Sequence, residues 1–91
     1  MTEQQTTPQR RHRLRTWPGY FREVRSGRKT FEVRQNDRDF LVDDVLELVE
    51  FNPETTEETG EVEERRVSYI LHGPGFGVQA GFCVMALELA E

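Results

Sequence analysis

The chain has 91 residues, 35% apolar and 32% charged, with a single cysteine and a formal net charge of -5. That length bounds it to one domain with a modest core. A lone cysteine excludes an internal disulfide and a cysteine zinc cluster, and no apolar run approaches the roughly 20 residues of a membrane-spanning helix.

The charge is unevenly placed. Residues 1–40 hold ten of the twelve Lys and Arg and five of the seventeen acids, whereas residues 41–91 hold two and twelve. The two parts therefore carry net charges of +5 and -10. A cation-rich part points to an anionic partner such as RNA or a nucleotide. The same asymmetry also fits two parts that neutralise each other inside one small fold. No secretory leader pattern opens the chain, so the cytoplasm is the expected compartment. No membrane partner, metal or cofactor is expected.

Residues 1–10 are polar and read as a flexible tail, leaving residues 11–91 as a single domain. Arg10 to Arg15 form a basic cluster, with His12 and Leu14 on one face if it is extended. Thr16-Trp17-Pro18 reads as a helix start, with Thr16 as the cap and Pro18 in the first turn. Trp17, Tyr20, Phe21 and Val24 fall at helical spacing and predict an apolar face over 18–26. That stripe reads as core, with Trp17 at the element's edge as the exception. Arg22, Arg25 and Arg28 recur every third residue on another face, and Gly27 is suited to ending the helix.

The helix hands over to Gly27-Arg28-Lys29-Thr30-Phe31-Glu32-Val33-Arg34. Alternation over a strand at 30–34 puts Thr30, Glu32 and Arg34 on one face and Phe31 and Val33 on the other. Phe31 and Val33 are then expected in the core, with the polar three lining a surface or cleft and Lys29 reaching toward it. An ordinary amphipathic strand with a charged outer face has the same spacing. Lys29 beside Glu32 is a possible acid–base pair, and Arg34 offers a two-donor fork to a phosphate or carboxylate.

Arg34 to Asp39 and Asp43-Asp44 carry turn residues around the apolar Phe40-Leu41-Val42. Further strands are predicted at 45–51, 62–71 and 82–89, with a polar hairpin loop from Asn52 to Gly60. Cys83, Met85, Leu87 and Leu89 share a face of the last strand, and Cys83 reads as a small buried apolar residue. His72-Gly73-Pro74-Gly75-Phe76-Gly77 matches neither GxGxxG nor GK[ST] and reads as a connection. One short helix cannot cover both faces of an open sheet of four or five strands. Closure into a small antiparallel or mixed β-barrel removes the exposed edges. The expected class is therefore mainly β with α, the N-terminal helix packed at one opening.

The run His12-x-Leu14-Arg15-Thr16-Trp17-Pro18-x-Tyr20-Phe21, followed by Gly27-x-Lys29-Thr30-Phe31-Glu32-x-Arg34-x-Asn36-Asp37-Arg38-Asp39-Phe40, resembles the ASCH superfamily. Within it the chain is most similar to the small, uncharacterised bacterial and phage branch, over about residues 12–89. Tyr69 to Leu71 and Gly81 to Met85 fit the same branch. The resemblance implies a PUA-like β-barrel with a cleft beside the helix, and a function in binding RNA. Some relatives are amidohydrolases on acetylated cytidine or ribonucleases, and Lys29 matches their catalytic lysine. Threonine stands in those relatives where this chain has Glu32. The branch usually has glycine at the position of Asp43 and often lysine at that of Arg15.

Three functions follow as expectations. The first is an RNA- or nucleotide-binding module using Lys29, Thr30, Glu32, Arg34, Trp17, Arg22, Arg25 and Arg38. The second is a small hydrolase on a modified nucleoside or on RNA, with Lys29 and Glu32 as its catalytic residues. The third is a protein-interaction module whose acidic hairpin, Glu54 to Glu58, meets a partner. No Ser-His-Asp or Cys-His set and no metal-ligand spacing is present.

Overall fold

The structure, a computed structural model, describes residues 9–90. Residues 1–8 of the expected tail lie outside the described residues. Five strands and one helix follow in order: β1 (Arg11–Thr16), α1 (Pro18–Arg25), β2 (Phe31–Gln35), β3 (Val45–Asn52), β4 (Glu57–His72) and β5 (Phe82–Leu89). The fold is mainly β with one short helix.

The strands form one sheet in the order β1-β3-β4-β5-β2. β1 runs parallel to β3, and the other pairs are antiparallel. β1 and β2 are consecutive strands, yet they occupy opposite edges of the sheet. The sheet curls into a half-barrel that brings these edges back together. Arg34 on β2 donates from Nη2 to the Arg15 carbonyl (3.1 Å) and to Thr16 Oγ1 (3.2 Å) on β1. Arg38 donates from Nη1 to the Arg13 carbonyl at 3.1 Å. Arginine side chains therefore satisfy two carbonyls on the outer edge of β1 and cover part of that edge.

Leu14, Leu46, Leu48, Val67, Cys83, Met85 and Leu87 fill the concave side, with Phe40 and Val24 closing over them. Alternation accounts for the β1 contribution, since His12, Leu14 and Thr16 face inward while Arg11, Arg13 and Arg15 face out. Asp44 is buried at the start of β3, where it accepts from His12 Nε2 at 2.8 Å and from the Leu41 amide at 2.9 Å. Asp43 before it takes a φ of 81°. That left-handed conformation is the physical reason glycine suits this position.

α1 begins with Pro18 in its first turn. Its cap is Trp17, without a side-chain bond, because Thr16 ends β1 and its hydroxyl turns inward. The helix stops where Gly27 adopts a φ of 85°, with the Gly27 amide donating to the Val24 carbonyl at 3.0 Å. Phe21 and Val24 are buried and α1 packs on β3 and β4. Tyr20, expected in the core, is 57% exposed, because a two-turn helix on a curved sheet buries only a narrow stripe.

Three further expectations are corrected. β4 starts at Glu57, so the hairpin loop contracts to a tight turn held by the Thr56 amide on the Asn52 carbonyl (2.7 Å). Register pairs Asn52 with Glu57 and Phe51 with Glu58, which draws the polar residues into the ladder. Leu89 is exposed at the sheet's end rather than buried with Cys83, Met85 and Leu87. On β2 the two faces are exchanged. Phe31 and Val33 are 45% and 54% exposed, while Glu32 is 3% exposed on the concave side. The exchange is possible because Glu32 finds two cations there.

Candidate functional site

Glu32 is the centre of the site. Its Oε2 accepts from Lys29 Nζ at 2.6 Å and its Oε1 from Arg34 Nε at 2.9 Å. Lys29 Nζ also donates to the Phe31 carbonyl at 2.6 Å and lies 4.9 Å from the Phe31 ring centroid. Arg34 completes the group through its bonds to Arg15 and Thr16 on β1. A carboxylate so buried is tolerated only when charged donors satisfy it, and here both its oxygens are engaged. Lys29 is the chain's single lysine and lies in the short connection after α1, where its amide donates to the Glu23 carbonyl at 2.9 Å.

These side chains form the floor of a cleft of about 460 Å³ at the junction of β1, α1 and β2. Its rim carries Trp17 and Tyr20, both more than half exposed and stacked with ring centroids 6.5 Å apart and planes 23° apart. Arg15, Thr16 and Val33 complete the lining. The volume falls in the usual range of small-molecule sites, ~300–1,000 Å³. The cleft combines a polar floor carrying fixed charges with an aromatic rim, which suits a flat ligand with a polar edge.

Four of the eight residues singled out in the sequence, Trp17, Lys29, Glu32 and Arg34, line this cleft. The other four do not. Thr30 is exposed just before β2, and its carbonyl accepts from the Leu87 amide at 2.9 Å. Arg25 pairs with Glu63 (2.6 Å) and Glu61 (3.0 Å). Arg38 supports the edge of β1. Arg22 is exposed and its side chain makes no ion pair or hydrogen bond among the described residues. Arg15, Thr16, Tyr20 and Val33 were missed. Thr16 was findable, because it continues the inward alternation of His12 and Leu14.

The basic and acidic parts of the chain meet face to face. Arg11 on β1 bonds Glu47 on β3 at 2.8 Å and also Glu64 on β4. Arg13 forks onto Glu58 at 2.9 and 2.6 Å, so an acid of the expected partner-binding hairpin is held within the fold. Hydrogen bonds donated to the carboxylates of Glu47 and of Glu63 and Glu61 raise the Arg11 and Arg25 guanidinium pKa values above their ordinary value. Burial pushes the Glu63 carboxyl up, but bonds from Arg25 and Arg65 outweigh it and hold the group below the usual carboxylate value. Burial raises the Cys83 thiol, consistent with an inert packing role. Among the described residues no group of three metal-ligand side chains occurs, and no helix is long and apolar enough to cross a membrane.

A family described as Domain of unknown function (DUF3850) matches residues 11–87. The chain belongs to this family. No curated protein matches it. The DUF3850 match begins at the first residue of β1 and runs into β5, so it takes in every element that builds the cleft. In this DUF3850 chain the cleft lies between the two sheet edges, where β1 leads into α1 and α1 leads into β2.

Proposed function

We propose that this chain is an RNA- or nucleotide-binding module of the ASCH superfamily, with a PUA-like barrel whose N-terminal helix packs at one opening. In this reading it acts in the cytoplasm, and the ligand's base enters the cleft. One observation supports it above the others: a buried carboxylate holds two cations at the floor of a cleft whose rim is an exposed Trp17–Tyr20 stack. Base stacking on such a rim contributes about 1–3 kcal/mol per base. The cations and the edge of Glu32 suit the polar groups of a nucleotide.

Trp17 is the only tryptophan, so its fluorescence reports the cleft directly. Titration with the four ribonucleotides and short RNAs is expected to give a saturable change. Lys29→Met is expected to weaken binding ten- to a hundredfold while the variant stays folded, the scale of a lost charged hydrogen bond (about 1.5–3 kcal/mol). If no nucleoside, nucleotide or RNA saturates the signal, the reading fails.

A second reading is a small hydrolase acting on a modified nucleoside or on RNA. The 2.6 Å contact between Lys29 Nζ and Glu32 Oε2 favours it, since it holds an amine and a carboxylate within hydrogen-bond reach of each other in the cleft. Lys29 then serves as the base and Glu32 orients it. Chromatography of acylated nucleosides incubated with the protein is expected to show turnover that Lys29→Met abolishes. Unchanged substrates would leave the cleft as a binding site alone.

A further inference from the structure

We infer that the cleft takes one nucleotide unit bearing a terminal, doubly charged phosphate, and not a tract of RNA backbone. The inference rests on the nucleotide-binding reading and narrows it by the distribution of charge.

Three cations line the cleft, Arg15, Lys29 and Arg34, against the single carboxylate of Glu32. The formal surplus is two positive charges. A phosphate monoester carries about -1.5 to -2 at neutral pH, whereas each internal phosphodiester of RNA carries one negative charge. The terminal group is therefore the better electrostatic match.

The donors left over agree. Lys29 Nζ uses two of its three N–H groups, on Phe31 and Glu32. Arg34 engages Nε and Nη2, while its Nη1 has no partner among the described residues. Arg15 stacks on Phe51 at 4.6 Å and, among the described residues, comes no nearer to a carboxylate than 3.7 Å, at Glu58. Unengaged donors thus come from β1, from β2 and from the connection before β2, all on one cleft.

Outside the cleft, five cations are closely paired. Arg11, Arg13, Arg25, Arg28 and Arg66 each have a carboxylate oxygen within 2.8 Å. A surface that follows a nucleic-acid backbone needs a run of available cations. Among the described residues outside the cleft, Arg22 has a guanidinium with no ion pair or hydrogen bond, while Arg10 and Arg38, 3.7 and 3.9 Å from their carboxylates, spend donors on backbone carbonyls. Part of the excess of arginine in residues 1–40 is neutralised by acids of β3 and β4, at Arg11, Arg13 and Arg25, while the cleft gathers Arg15, Lys29 and Arg34 in one place.

The base with its terminal phosphomonoester has two sources, a free mononucleotide or the phosphorylated end of an RNA. The test uses Trp17 fluorescence and calorimetry with the four ribonucleosides, their 5′- and 3′-monophosphates, and ten-residue RNAs with and without a terminal phosphate. At least one monophosphate is expected to bind ten-fold or more tightly than its nucleoside. Affinity is expected not to rise from the monophosphate to the phosphorylated ten-mer. If that ten-mer binds as well as the monophosphate, RNA ends are accepted; if it binds far more weakly, the ligand is free nucleotide. Arg15→Gln, a change at an exposed side chain, is expected to cut the preference for monophosphate over nucleoside at least fivefold with an unchanged thermal midpoint. Nucleosides binding as tightly as monophosphates would overturn the inference. So would a ten-mer that binds far more tightly than the monophosphate with a steep salt dependence, and either result leaves the nucleotide-binding reading standing. Silence from every ligand overturns both.

Discussion

Glu32 is an acid on the inward face of an edge strand, 3% exposed, with a lysine and an arginine closing on its two oxygens. Removing one partner from a buried charge group costs about 3–5 kcal/mol, because the remaining charges lose their compensation. Lys29 and Arg34 keep some exposure, so the lower part of that range applies. Glu32→Gln is expected to lower unfolding stability by about 3 kcal/mol in urea denaturation. Lys29→Met leaves Glu32 paired with Arg34 and is expected to cost about half as much. Equal losses for the two variants would mean that Glu32 is not the hub. The exchanged faces of β2 come from the same chemistry. Phe31 and Val33 remain outside on an edge strand while the concave side holds the polar cluster, so ordinary hydrophobic patterning misassigned both faces.

At the level of elements, the β4–β5 connection is set by close approach. A Cβ built on Gly73 falls 2.1 Å from the Gln79 carbonyl oxygen, a backbone atom that cannot swing aside. Gly73→Ala is expected to cost roughly 2 kcal/mol or more through overpacking and to lower the thermal midpoint by several degrees. Gly19→Ala is its control, since nothing lies within 4 Å of the added Cβ and the residue is helical. That change is expected to be neutral or to stabilise by up to about 1 kcal/mol. If the two variants melt together, the loop relaxes around Gly73 and the contact is unimportant. Helix α1 depends on Phe21, 1% exposed under a short element that offers few other anchors. Phe21→Ala is expected to cost about 3–5 kcal/mol and to disturb the Trp17 signal, because Trp17 caps the same helix.

At the scale of the whole molecule, the basic and acidic parts of the chain hold each other. The dependence on pH follows from Glu63, which Arg25 and Arg65 keep below the ordinary carboxylate value near 4.5 despite its burial. A carboxyl with a lowered folded-state pKa binds protons more readily when unfolded. Its stabilising contribution is complete above about pH 4.5 and is lost as pH falls through the folded value. Urea unfolding at pH 6, 4.5 and 3 is expected to show stability falling across the lower interval, and Glu63→Gln is expected to flatten that fall. A Glu63→Gln profile parallel to the parent's would place the acid sensitivity at other carboxylates.

Local chemistry was enough to locate the elements. Pro18 and Gly27 bound α1, and β-period runs between turn residues mark β2 to β5, because helix caps, turn preferences and side-chain alternation act within a few residues. It was also enough to group Glu32 with Arg34, since i and i+2 share a strand face in any tertiary setting, and to put Lys29 beside them in the connection before the strand. Which face points inward is a different kind of fact. β2 lies at the edge opposite β1, and only the curl of the sheet brings Arg34 onto the backbone of Arg15. That contact spans 19 residues, and no local periodicity encodes it. The same holds for Arg25 meeting Glu63 and Arg13 meeting Glu58. Sequence by itself determined the surplus of arginine in residues 1–40; the tertiary structure decided which of those charges are neutralised and which stay available in the cleft, because pairing depends on distance through space and not along the chain.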